Sequence, residues 1–260
     1  MIVGPGRVPQ RRIAETVAAE LRQRILTGSG ADRLPTQDQL VREFGVSYPS
    51  VREALRILET EGLVTVRRGS VGGAEIHRPD QSSGAYHLGL VLQGAGVTLG
   101  DLAEGLQLLE PLCAAEVARR ADRATAVVPV LMANVDASAE AVSDGVAFTR
   151  IAREFHDLVV AFTPNDTMRH VVRSLVALWS AQEQQWAAAV TRRGEYPVVA
   201  DARAAVRTHR RLVDEIAAGR AEEAERVARS HLAATQTHLL ERFTDGVVDA
   251  APARAGWGAG

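Results

Sequence analysis

The sequence predicts a mainly α protein in two parts, and three observations lead there. Apolar residues recur at helical rather than strand spacing along most of the 260-residue chain. Aromatics make up only 4% of it, while alanine, leucine, valine and arginine abound, a mix suited to helices packed through small and aliphatic side chains. The one clear break comes early, at "LVTVRRGSVGGAEIHRP", where two short strands flank a glycine-rich tip. The fold class is therefore an N-terminal winged helix-turn-helix, three helices plus a β-hairpin, followed by an all-α bundle of six to seven helices.

The elements of the first part can be justified in order. "RRIAETVAAELRQRILTG" carries Ile13, Val17, Leu21 and Ile25 every fourth residue, an amphipathic helix that Gly28 stops. In "LPTQDQLVREFG", Thr36 and Gln39 have capping-box spacing, Leu40 and Phe44 share a face, and Gly45 closes the helix. Ser47 caps the next helix, Pro49 fits its first turn, and Val51, Leu55 and Leu58 point to a core. Tyr48, Arg52 and Arg56 line the opposite face. Two short helices across a tight glycine-containing turn form a helix-turn-helix whose second helix enters a major groove. Arg67 and Arg68 at the hairpin edge then stand ready for phosphate or minor groove.

Charge agrees in sign. The formal net charge of −2 excludes a globally basic nucleic-acid binder, and with no lysine all 30 basic residues are arginine. Residues 1–80 hold 12 arginines against 10 carboxylates, a net of +2; residues 81–260 hold 18 against 22, a net of −4. The lone Cys113 has no internal disulfide partner, and no signal peptide or bilayer-length apolar run is evident, so a cytoplasmic protein without membrane association is expected.

Over residues 9–78 the pattern "RLPT…L…FGVS…VREAL..LE.EGLV" resembles the DNA-binding domain of the GntR family of bacterial repressors. The resemblance implies double-stranded DNA as a partner, read as an inverted repeat. It implies that Arg52 meets a guanine or phosphate, that Arg33 meets the phosphate backbone, that Ser47 and Ser50 serve the helix start and backbone, and that Arg68 enters the minor groove; Thr36, Tyr48 and Arg56 are further DNA-binding candidates. Two positions depart from the family: Tyr48 replaces a common arginine, and Asp38 stands where some members carry a DNA-contacting arginine. A tyrosine does not fork onto guanine, so the operator should differ at that base, and fewer phosphate contacts imply a shallower salt dependence.

The first domain is expected over residues 1–78, a linker over 79–83, a helical domain over 84–244 and a flexible tail over 245–260. Helices are predicted near 84–93, 98–121, 124–143, 145–162, 165–192, 197–218 and 220–244. "LLEPLCAAEVARRA", "EFHDLVV", "RTHRRLVDEIAAG" and "ARSHL" resemble the FCD domain of the FadR subfamily. That resemblance implies a homodimer and a small effector, carboxylate or acyl in type.

His156, His209 and His231 each lie on an apolar helix face, and imidazoles converging from separate helices make a divalent-metal site, zinc or similar. The family's aspartate ligand, four residues before the first histidine, is Ala152 here, and a family arginine is Leu106. Two readings stay open: three imidazoles retain the ion, or the histidines with Arg153 bind an anion directly. Gln182, among Leu175, Trp179 and Trp186 at helical spacing, joins His156, His209, His231 and Arg153 as an effector-site candidate; the alternative is that the two tryptophans are plain core or dimer-interface residues. Asn165 reads as a helix cap.

The rival class is a three-histidine metal-dependent enzyme, or a simple small-molecule-binding protein. No HExxH pairing, G-x-S-x-G elbow or phosphate loop occurs, so a non-enzymatic, ligand-released repressor is the expectation. A ligand-free architectural DNA binder would have little use for interior histidines.

Overall fold

The computed structural model describes residues 10–28, 32–66, 73–194, 198–240 and 246–251. It divides into two compact units, residues 1–80 and 81–260.

In the first unit, α1 (Gln10–Thr27), α2 (Gln37–Phe44) and α3 (Tyr48–Thr60) are followed by β1 (Val64–Thr65) and β2 (Glu75–Ile76). The capping box at Thr36 and Gln39 forms, and Gly45 ends α2 at φ 63°, a left-handed conformation that glycine adopts without a side-chain clash. Ser47 accepts from the Ser50 amide to open α3. Val17, Leu21, Ile25, Leu40, Val51, Leu55 and Leu58 form one core. Arg22 clasps Glu61 through Nε and Nη2, at 2.7 and 2.5 Å, tying α1 to the end of α3. The antiparallel hairpin pairs Val64 with Ile76 and Thr65 with Glu75, and Arg33 bridges to Glu75 from the other side.

The second unit comprises α4 (Gln81–Gly94), α5 (Leu99–Ala118), a π-helical turn (Arg123–Val127), α6 (Val128–Glu140), α7 (Gly145–Ala161), α8 (Asp166–Arg192), α9 (Val199–Ala217) and α10 (Ala221–Leu240). Thr98, Asp144 and, as expected, Asn165 cap α5, α7 and α8. One apolar cluster joins Val117, Leu131, Val135, Phe148, Phe155, Leu212 and Ile216; another joins Leu102, Leu106, Val176, Leu178 and Trp179. Helix α5 serves both. Pro111 inside it has no N–H to give the Gln107 carbonyl, and the Arg229 guanidinium of α10 donates to that carbonyl instead, at 2.9 Å.

Two expectations need correction. Residues 81–83, read as linker, are the first turn of α4, which begins at the junction between the units. The expected flexible tail is packed over its described part. Leu99 N donates to Gly246 O at 2.8 Å, Val248 N to Val97 O at 3.0 Å, and Val248 and Ala250 are buried. Small residues predict little by themselves, but Gly89 of α4 leaves room for Ala250 to approach. Trp257 lies outside the described residues.

Candidate metal centre and nucleic-acid interface

His156 sits on α7, His209 on α9 and His231 on α10, each buried on the face that its helix turns to the core. Each offers one ring nitrogen, and these ligand atoms lie within 4.8 Å of one another. The His209 and His231 Nε2 atoms are 2.9 Å apart. Phe155 stacks on the His209 ring at 4.0 Å between centroids, fixing its plane. Burial first, then the neighbouring histidines and Arg153, hold His209 and His231 well below the usual histidine value, so both are neutral near pH 7 and keep a lone pair for a ligand.

Sequence reasoning missed the carboxylates around this cluster. Glu110 of α5, almost wholly buried, accepts from His156 Nδ1. That bond places the His156 proton on Nδ1 and leaves Nε2 bare toward the cluster, the arrangement by which a carboxylate orients a metal-binding histidine. Glu183 of α8, partly buried, holds the buried Arg153 in an ion pair at 2.9 Å and also accepts from Trp179 Nε1. Arg153 Nη2 in turn lies 3.5 Å from His156 Nε2. The signal for Glu110 was in the sequence: one carboxylate on an otherwise apolar stripe with Ala103, Leu106 and Cys113.

The residues fit a divalent ion in donor chemistry. The imidazoles converge, His156 has its carboxylate support, and the buried His209 Nδ1 has no hydrogen-bond partner among the described residues. Ala152 lies at the core and supplies no ligand. Gln182 does not join the cluster. It donates to the Asp249 carbonyl at 2.6 Å, because it lies about 100° around α8 from Glu183 and so faces the 246–251 segment. Trp179 is buried in the second apolar cluster, and Trp186, partly buried, packs against it.

At the first unit's candidate DNA face, Arg33, Tyr48, Arg52 and Arg56 are exposed, and Arg56 stands 4.0 Å from Glu53. Ser50 is a correction: it is buried, its hydroxyl 3.0 Å from that of Ser47, so it serves the helix start only. Thr36 spends its hydroxyl on the capping box, and Ser47 remains exposed at the start of α3. Arg67 and Arg68 lie outside the described residues. Tyr48 donates its hydroxyl to Asp38 Oδ1 at 3.1 Å, joining the two positions that depart from the expected pattern.

The model of bacterial regulatory proteins of the gntR family matches residues 13–71, and that of the FCD domain matches residues 101–234. The chain belongs to the gntR family, with an FCD domain. The HTH-type transcriptional repressor NanR of Citrobacter rodentium is 27% identical over 166 residues, 62% of this chain and 63% of that protein. The NanR of Salmonella newport is 29% identical over 160 residues, 60% of each. The chain thus spans less than two thirds of the length of these relatives. The solved Streptococcus agalactiae GntR shares the fold, with a TM-score of 0.63 at 21% identity over 88% of this chain and 99% of that one. In the FCD domain the histidine cluster, Glu110, Arg153 and Glu183 all fall within the matched range.

Proposed function

We propose that this gntR-family protein is a transcription repressor that binds a short inverted repeat as a homodimer and is released by a small anionic or acyl-type effector. The observation that carries the ligand half is the buried polar cluster itself. Three imidazoles, a guanidinium and two carboxylates are gathered inside an apolar bundle, at a desolvation cost that packing alone would not favour.

His156, His209 and His231 would hold a divalent ion, which when bound supplies a Lewis-acidic coordination position for an effector carboxylate. Glu110 keeps the His156 proton on Nδ1, and Phe155 keeps the His209 ring in plane. Arg153, oriented by Glu183, adds positive charge beside His156 Nε2 that favours an anion. The ligand-bearing α7, α9 and α10 would shift on effector binding, and the junction near residues 79–83 would pass that change to the DNA-binding units of the dimer. The operator affinity lost cannot exceed the effector's preference for the released state. The enzyme reading is weaker because both carboxylates described around the cluster are already held, Glu110 by His156 and Glu183 by Arg153 and Trp179.

The test is selection of genomic fragments by the purified protein, followed by titration of the enriched operator with candidate acids. Enrichment of one inverted repeat, with effector release lost in His209→Ala, supports the proposal. Sequence-blind, salt-sensitive binding overturns it.

A further inference from the structure

We propose that Tyr48 and Asp38 act as one acceptor-bearing unit that selects, at one position of each half-site, a base presenting an amino group in the major groove. Cytosine and adenine are the two bases of that kind. The inference rests on the reading of the first unit as a sequence-specific DNA binder.

Tyr48 is the first residue of α3, 49% exposed despite its size, and Asp38 lies exposed in the first turn of α2. The Tyr48 hydroxyl donates to Asp38 Oδ1. A phenol has one proton, and here it is spent inside the pair. What remains outward is the phenolic oxygen's lone pair and the carboxylate's second oxygen, which only accept. The carboxylate holds that proton on Tyr48 and raises its pKa above the ordinary phenol value, while Arg42, one turn beyond Asp38, pulls the other way.

An acceptor-only unit discriminates by the edges that bases show. Guanine offers N7 and O6, both acceptors, and thymine offers O4 and a methyl group; both would set lone pair against lone pair. Cytosine N4 and adenine N6 donate and so complete the pair. Arg52, one turn along α3 from Tyr48 and exposed, keeps donors for a neighbouring guanine or phosphate, so the acceptor unit and the arginine would read different positions. An acidic residue in a helix's first turn is ordinary by itself. An exposed tyrosine anchored to it across the two helices of the motif is what makes the carboxylate part of the reading surface.

The experiment is sequencing of a randomised half-site library after binding by the full chain, by Asp38→Asn and by Tyr48→Phe, with helicity and melting checked by circular dichroism. The wild type should prefer cytosine or adenine over guanine at one position of each half-site by about tenfold, the lower part of what one good base contact supplies. Asp38→Asn should move that position toward adenine, since an amide pairs with both N6 and N7. Tyr48→Phe should flatten that position and leave the others intact. A uniform gain in affinity for Asp38→Asn with unchanged base preference would overturn the inference, because Asp38 would then only repel phosphate. So would a wild-type preference for guanine there. A library from which the wild type enriches nothing defeats the DNA-binding reading itself, and the inference with it.

Discussion

Substitution of Glu110 by glutamine isolates what its charge does for the histidine cluster. The side chain keeps its length and an acceptor oxygen, so the pocket's shape is nearly conserved. It loses the negative charge that sits, almost fully buried, on His156 Nδ1. Carboxylates in this position raise the basicity of the ligating ring and fix its tautomer, and their loss typically costs about 10–100-fold in metal affinity. That range corresponds to about 1.4–2.7 kcal/mol. If the amide instead turns its NH2 toward Nδ1, the ring proton moves to Nε2 and blocks coordination, which takes the loss to the upper end. Glu110→Ala behaves differently: it leaves a buried imidazole N–H unpaired and should also lower unfolding stability by about 1–3 kcal/mol. The assay is zinc titration against a competing chelator for wild type, Glu110→Gln and His209→Ala, with thermal melts of each metal-free protein. Undiminished zinc affinity in Glu110→Gln, alongside loss in His209→Ala, would refute the argument that the carboxylate tunes the site.

Further expectations follow from the same packing. His209 and His231 titrate well below the usual 6.5 in the folded chain, so the unfolded chain takes up protons that the folded one refuses. The metal-free protein should therefore hold full stability above about pH 6.5 and lose up to about 1.4 kcal/mol per pH unit for each histidine below it. Denaturant melts at pH 7.5 and 5.5 check this, and equal midpoints would contradict it. Gln182→Leu should destabilise the protein by about 1 kcal/mol through the Asp249 bond while leaving effector and metal binding unchanged; altered effector affinity in calorimetry would return Gln182 to the site. The Cys113 thiol, buried and pushed up to about 11, should resist alkylation at pH 8 until the protein unfolds, and fast labelling of the native protein would count against that burial.

Local chemistry determined the first unit almost completely. The Thr36–Gln39 box, the Gly45 stop, the Ser47 cap and the apolar spacing of α1 to α3 act over a few residues, so the sequence alone was sufficient to place them. The convergence of His156, His209 and His231 was also readable, because each histidine stands on an apolar face and apolar faces meet in a bundle's interior. Tertiary structure decided the rest. Glu110 reaches His156 from another helix, and Glu183 rather than Gln182 meets Arg153 because adjacent positions on α8 point about 100° apart. Residues 246–251 dock because Gly89 and the Gln182 amide receive them, contacts between segments far apart in the chain that no local pattern records. The same holds for Tyr48 and Asp38: each is an ordinary helix-start residue in the sequence, and only the packing of α2 against α3 brings the phenol to the carboxylate.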